Sequence, residues 1–219
     1  MLKIAFLPFI ISSTDNSEFA GRLKQNESKI KEIYFNIIVL YFKIMNLLNN
    51  VTEYGFISKI FHWLTAAVLL AQVPLGFYLV DLDFGEKRIT FENIHVTLGV
   101  FIFYIVLARL IYKVFNPTPR LGSSIFPGQR LIAKLNHFFL YISILIITIS
   151  GSLKKLFNGE KLNFFFIDLK IKDDFDLADF FYDIHIIGNY ILIFLVLLHI
   201  IAVFIHRLLF KENLLKKIL

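Results

Sequence analysis

Four stretches of this chain, 56–80, 94–114, 131–153 and 184–209, are each apolar for roughly twenty residues or more. About twenty helical residues cross some 30 Å of hydrocarbon, and only helices or closed barrels satisfy their own backbone there. The chain is therefore expected to be an all-α transmembrane protein. Its connecting segments, DLDFGEKRITFEN, FNPTPRLGSSIFPGQR and KKLFNGEKLNFFFIDLKIKDDFDLADFFYD, are turn-rich or charged. The last is acidic and too polar to span. Short connections between consecutive spans favour an up-down-up-down four-helix bundle.

The composition agrees, with 57% hydrophobic and 18% charged residues and a mean hydropathy of +0.69, outside the usual range of soluble domains. Cysteine is absent, which excludes disulfides, thiolate metal sites, cysteine nucleophiles and the thioether attachment of c-type haem. The formal charge of +6 does not point to nucleic acid, because Lys and Arg sit between apolar runs and form no patch interleaved with stacking aromatics. They read as topology signals for a protein whose partner is membrane lipid. Lys113, Arg120, Arg130 and Lys134 flank the second connection, and Arg207, Lys211, Lys216 and Lys217 close the chain. Both groups are expected on the cytoplasmic side. Lys87 and Arg88 lie among acids, and Lys154 and Lys155, which go against the trend, share their loop with Asp173, Asp174, Asp176 and Asp179. Those two connections are expected outside, so both termini are cytoplasmic.

Residues 1–44 form an N-terminal extension to a membrane domain at 45–219. MLKIAFLPFIISS resembles a weak signal peptide without a small-residue cleavage site. IYFNIIVLYFKIM is short for a span and contains Asn36 and Lys43, so an interfacial helix is expected. Met45, just before the first strong span, is an alternative start.

All six histidines lie in or at the edge of a span: His62, His95, His137, His185, His199 and His206. Ionisable groups at membrane depth face the bundle interior and mark cofactors or ion paths, or else serve hydrogen-bonded packing. His185 and His199 are 14 residues apart, nearly four whole turns, so they share one helix face about 21 Å apart in depth. With the orientation above, His199 faces His62 at the inner level and His185 faces His95 at the outer level. Two pairs at two depths suit two six-coordinate haems, each iron held between two imidazoles. Such ligation leaves no open iron position and favours electron relay over oxygen activation.

A flat macrocycle also needs small neighbours. Ala66 and Gly99 follow His62 and His95 at i+4, and Gly188 and Ala202 follow His185 and His199 at i+3. His137 is followed instead by Leu140 and Tyr141, and His206 by Leu209 and Phe210. His206 is read as an interfacial residue, and His137 as a packing residue with quinone or propionate contact as the rival. Arg109, 14 residues after His95, shares its face at the inner level. It either binds a haem propionate bidentately or snorkels to the cytoplasmic interface. Lys87 and Arg88 near the outer site either attract an anion or quinone head group or are simply solvated.

The stretches FISKIFHWL, NIHVTLGV, ARLIYKVFNPTPR, NHFFLYISILIITISG, DIHIIGNYILIFLVLLH and HRLLFKENLL together resemble the bacterial cytochrome b561 family over residues 54–219. The resemblance implies a four-helix cytochrome of the inner membrane, carrying two haem b groups and exchanging electrons with the quinone pool, ubiquinone being the acceptor. The family's ligands come from the first, second and twice the fourth helix, which match His62, His95, His185 and His199. Some members are similar to superoxide oxidases, and the wider superfamily includes cytochrome b subunits that anchor hydrogenases. The donor is thus superoxide or a docked redox protein. Residues 1–44 have no counterpart in it. A rival of another class is a haem-free metal or proton transporter lined by histidines, although one metal needs its ligands within about 2.1 Å rather than at two depths. No G-x-S-x-G elbow supports a hydrolase.

Overall fold

The structure, a computed structural model, describes residues 13–119, 127–165, 167–209, 211 and 213–219. The described chain falls into two units, one ending at Asn46 and the other comprising Leu47–Leu219.

Helix α1 (Ser13–Leu47) makes up the described part of the first unit, its last residue being counted with the second. Its polar half carries an i,i+4 ion pair, Lys31 Nζ to Glu27 Oε1 at 2.7 Å. The stretch expected to be an interfacial helix forms its C-terminal part. There Ile33, Phe35, Ile37 and Leu40 are all exposed, a surface suited to lipid. Of the leader-like segment, residues 1–12 lie outside the described residues.

The second unit contains α2 (Phe56–Val80), α3 (Glu86–Phe115), α4 (Pro127–Phe157), a two-stranded hairpin of β1 (Leu162–Asn163) and β2 (Asp168–Leu169), α5 (Phe175–Leu209) and the short α6 (Leu214–Ile218). Helices α2 to α5 are long and apolar enough to cross a membrane, giving the transmembrane helical bundle that the sequence predicts. α2 coincides with its apolar run, whereas α3 and α5 begin eight and nine residues before theirs. Hydropathy measures the thickness of hydrocarbon, and a helix does not stop at that boundary. Glu86 and Asp176 in the two first turns are favoured there by the amide ends of the helix.

Consecutive helices run antiparallel: Gly76 on α2 stands beside His95 on α3, and His62 beside Arg109. The closest helix pair is α4 with α5, while α3 packs on both α2 and α4. Ile102, Val106, Ile144, Ile147 and Leu192 form the buried core at mid-depth, with Val68 and Leu69 of α2 against it. Outward residues such as Leu70 and Phe194 are bare, as lipid-facing side chains are when no membrane surrounds them. Hydroxyls within the spans are satisfied by their own helices, for example Thr65 Oγ1 to the Phe61 carbonyl at 2.5 Å and Thr148 Oγ1 to that of Ile144 at 2.9 Å.

Asn49 ties the start of α2 to the end of α3. Its Oδ1 accepts from the Gly55 amide at 2.9 Å and from Ser58 Oγ at 2.7 Å, and its Nδ2 donates to the Pro117 carbonyl at 3.0 Å. Gly55 allows this, since a Cβ there would collide with the backbone of Leu48. At the same end, Trp63 Nε1 donates to the Ile218 carbonyl at 3.0 Å and fastens α6 to α2.

Candidate functional site

α5 carries His185 and His199 on the face turned toward α2 and α3. The His199 ring centroid lies 6.3 Å from that of His62, and the His185 centroid lies 6.1 Å from that of His95. A metal–imidazole bond of about 2.0–2.1 Å, with about 1.1 Å from nitrogen to the centre of a ring of about 1.33 Å bonds, separates the centroids of a linear bis-imidazole pair by about 6.2–6.4 Å. Both observed separations are close to that distance. Among the described residues no three His, Asp or Glu side chains converge on one ion. Each level offers a pair of imidazoles at this separation, and a planar macrocycle can fill the remaining coordination positions.

The two levels differ in what holds the rings. At the outer level His185 Nδ1 is 2.8 Å from the Ile147 carbonyl. A carbonyl only accepts, so Nδ1 carries the proton and Nε2 keeps its lone pair, which is the ligating tautomer. His95 Nδ1 is buried without a hydrogen-bond partner, and Gln72 Nε2 holds the His95 carbonyl at 2.8 Å. Between these rings and α4 lies a cavity of about 300 Å³, bordered by Gly76, Gly99, Gly151 and Gln72, whose Oε1 is also buried and unpartnered. At its rim, Arg88 Nη1 donates to the Leu82 carbonyl at 2.6 Å, Lys154 lies 3.7 Å from Glu92, and Lys155 is 2.6 Å from Glu160. Burial pushes the Glu160 carboxyl up, but hydrogen bonds from Lys155 and Asn158 and the two lysine charges outweigh it and hold the group below its ordinary range. Lys87 stands over the Tyr78 ring at 5.5 Å.

At the inner level Arg109 Nη2 is 3.2 Å from His62 Nδ1. A guanidinium has only donors, so in this contact Nδ1 accepts and the neutral ring carries its proton on Nε2. Ligation through Nε2 requires the opposite tautomer, and the arginine contact and an Nε2-bound metal therefore exclude each other. Arg109 also stacks on Tyr141 at 5.4 Å, beside Lys113 at 4.8 Å from the same ring. Among the described residues neither cation has a carboxylate partner. His137 is drawn into this level, its ring 5.1 Å from that of His199. His206 sits half-buried in the last turn of α5.

A family model described as prokaryotic cytochrome b561 matches residues 53–219. Cytochrome b561 homolog 2 of Escherichia coli (strain K12) is 27% identical over 179 residues, 80% of this chain and 95% of that protein. The chain belongs to the prokaryotic cytochrome b561 family. It is thus a transmembrane b-type cytochrome of electron transfer, and b-type haem is its cofactor. The cavity fits such a group, with a buried imidazole nitrogen that lacks a partner, a glycine-lined wall and a ring already held in the ligating tautomer.

Within this cytochrome, Gly99 borders the cavity as expected, while Gly188 does not and further room comes from glycines on other helices. A Cβ on Gly188 would stand 2.9 Å from Ile147 Cγ1, so that residue serves the close approach of α4 and α5. His185 owes its space to Gly151, where a Cβ would stand 2.9 Å from the ring's Cε1 and Nδ1, and Gly76 does the same for His95 at 3.2 Å. Gly76, Gly151, Gln72 and Lys113 escape sequence reasoning because each meets its partner across a helix seam. Their only trace is a small or polar residue inside an apolar run.

Proposed function

We propose that the chain carries two haem b groups and moves electrons between the outer face of the bacterial inner membrane and the quinone pool, with ubiquinone as acceptor. The observation supporting this is the pair of facing imidazoles at each of two depths, 6.1 and 6.3 Å between centroids. His95 and His185 would hold the outer group, and His62 and His199 the inner one. The cytochrome domain is 45–219, and both termini are cytoplasmic on the strength of the Lys and Arg bias. Bound haem supplies a one-electron carrier at each level.

The chain's own residues do the rest. The Ile147 carbonyl fixes the His185 tautomer, and Gln72 fixes the backbone at His95. Gly76, Gly99 and Gly151 keep the outer compartment open, while Ile102, Ile147 and Leu192 keep it dry. At the inner level Arg109 would hold a haem propionate once released from His62 Nδ1, with the charge of Lys113 beside it. Superoxide is the proposed donor at the outer face.

The test is a pyridine haemochrome assay with reduced-minus-oxidised spectra on the purified chain, followed by superoxide-driven reduction of ubiquinone. Two b haems per chain and turnover by the chain alone are expected. Fewer than two haems would reject the ligand assignment. Two haems without turnover would leave a docked dehydrogenase as the donor.

A further inference from the structure

The connection between α4 and α5 does not stay above the membrane domain. Its hairpin pairs Leu162 with Leu169 and Asn163 with Asp168, and the Phe164 amide donates to the Ile167 carbonyl at 2.9 Å to close the turn. Leu162 is fully buried against Val100 of α3 and Leu156 of α4. Phe164 packs its ring 5.9 Å from Phe103 and 5.8 Å from Tyr104, and the Tyr104 hydroxyl donates to its carbonyl at 3.2 Å. Val100 and Tyr104 lie six and ten residues inside the 94–114 apolar segment, or about 9 and 15 Å along the helix axis. Since a helical side chain leans toward its N-terminus, the hairpin reaches roughly the depth of Val100.

What the hairpin displays at that depth is apolar. Phe165, Ile167, Leu169 and Ile171 are 48%, 62%, 38% and 38% exposed, the Phe165 ring also lying 6.0 Å from that of Tyr104, and Asp168 and Lys170 separate the last three. Phe165 and Ile167 stand at the turn, the most exposed of the four, whereas Leu169 pairs with the buried Leu162 and so lies on the same side of the hairpin as that residue. Phe165 is held at φ 61°, a left-handed conformation that costs a bulky residue on the order of 1 kcal/mol or more. The Asn163 carboxamide, whose Oδ1 accepts from the Phe165 amide at 2.9 Å, keeps it there. Lys161, Lys170 and Lys172 are long enough to keep their charges among head groups.

We propose that the hairpin dips into the membrane and that its exposed tip, Phe165 and Ile167, is covered by acyl chains of the leaflet on the His95–His185 side. The connection would then be anchored in lipid at its tip and to the bundle at Leu162.

Because the chain lacks cysteine, single Phe165→Cys, Ile167→Cys and Lys172→Cys variants of the full chain each present one thiol for a nitrobenzoxadiazole label. The labelled proteins are placed in phosphatidylcholine nanodiscs with and without bromine on the acyl chains, and helical content by circular dichroism confirms the fold. Labels at 165 and 167 should lose emission to brominated chains and resist aqueous iodide, and the label at 172 should do the reverse. Iodide quenching at 165 and 167 without bromolipid quenching would overturn the proposal. So would protection from both quenchers that vanishes at one chain per disc, which would mean that a second copy covers the tip. The two tip positions are independent, so failure of one variant to fold leaves the other decisive.

Discussion

Three glycines border the outer cavity, and the structure ranks what alanine does at each. A Cβ at Gly151 would sit 2.9 Å from His185 Cε1 and Nδ1, one at Gly76 3.2 Å from His95 Cε1, and one at Gly99 3.5 Å from Gln72 Nε2. Against a preferred heavy-atom separation of about 3.5 Å, the shortfalls are about 0.6 Å, about 0.3 Å and nil. His185 cannot swing away freely, because its Nδ1 is bound to the Ile147 carbonyl at 2.8 Å and α4 and α5 are the most closely packed pair. Overpacking of this kind costs about 1–3 kcal/mol, or roughly 5- to 150-fold in affinity of the outer haem. Alanine itself favours a helix interior over glycine by about 1 kcal/mol, so global stability should change little while haem binding falls. The assay is haem titration into apoprotein, read as the haem-to-protein ratio and by the spectrum of each haem. Gly151→Ala should weaken the outer haem most, Gly76→Ala less and Gly99→Ala least, with the inner haem intact in all three. Equal loss in Gly99→Ala and Gly151→Ala, or full retention in Gly151→Ala, would refute the steric argument and with it the location of the outer haem.

Replacing His62, His95, His185 or His199 singly by Ala should lower the haemochrome ratio from two per chain to one, whereas His137→Ala and His206→Ala should keep two. Loss of a haem in His137→Ala would make its ring, 5.1 Å from His199, part of the ligand sphere. Arg109→Gln should weaken the inner haem by about 10- to 150-fold, the size of a charged hydrogen bond of about 1.5–3 kcal/mol, and Arg109→Lys should recover part of that. An unchanged titration in both variants would mean that the guanidinium serves only the cytoplasmic interface. Glu160 is held below its ordinary range, so it stabilises the folded state above its unfolded value near pH 4.3, and that contribution is lost as pH falls through the lower folded value. Hydrogen exchange in 158–169 should therefore accelerate in acid, and Glu160→Gln should be fast already at pH 7. Exchange in the wild type that ignores pH between 3 and 7 would count against the Lys155 pair as the fastening of the hairpin root.

The four spans were legible because lipid imposes a long apolar run on every crossing helix, a demand that one sequence meets residue by residue. The helix ends were not, since the turns at 86–93 and 175–183 leave the hydrocarbon and read as polar loop. Nor was the hairpin, whose strands of two residues fall below any periodic signal. The pattern of the site divides in the same way. His185 and His199 share a helix, so their spacing alone fixes a common face and two depths, and antiparallel order then sets His95 opposite His185 and puts His62 and His137 at the level of His199. What the opposing helix offers at a given depth is set by its offset and tilt, which local spacing does not contain. For that reason Gly188, three residues after His185, looks like room for a ligand and is in fact the contact point for Ile147, whereas the true space comes from Gly151 on another helix. It is also why His137, judged by Leu140 and Tyr141 beside it in sequence, lies against His199. The inner and outer levels thus differ in kind. At the outer level His185 is already set in the ligating tautomer by a backbone carbonyl, which no side-chain motion can withdraw. The inner pair is guarded by Arg109, whose contact with His62 must break before Nε2 can bind a metal. Haem loading at the inner level should therefore require an anion to draw the guanidinium away, and the carboxylates of the incoming haem are anions of that kind.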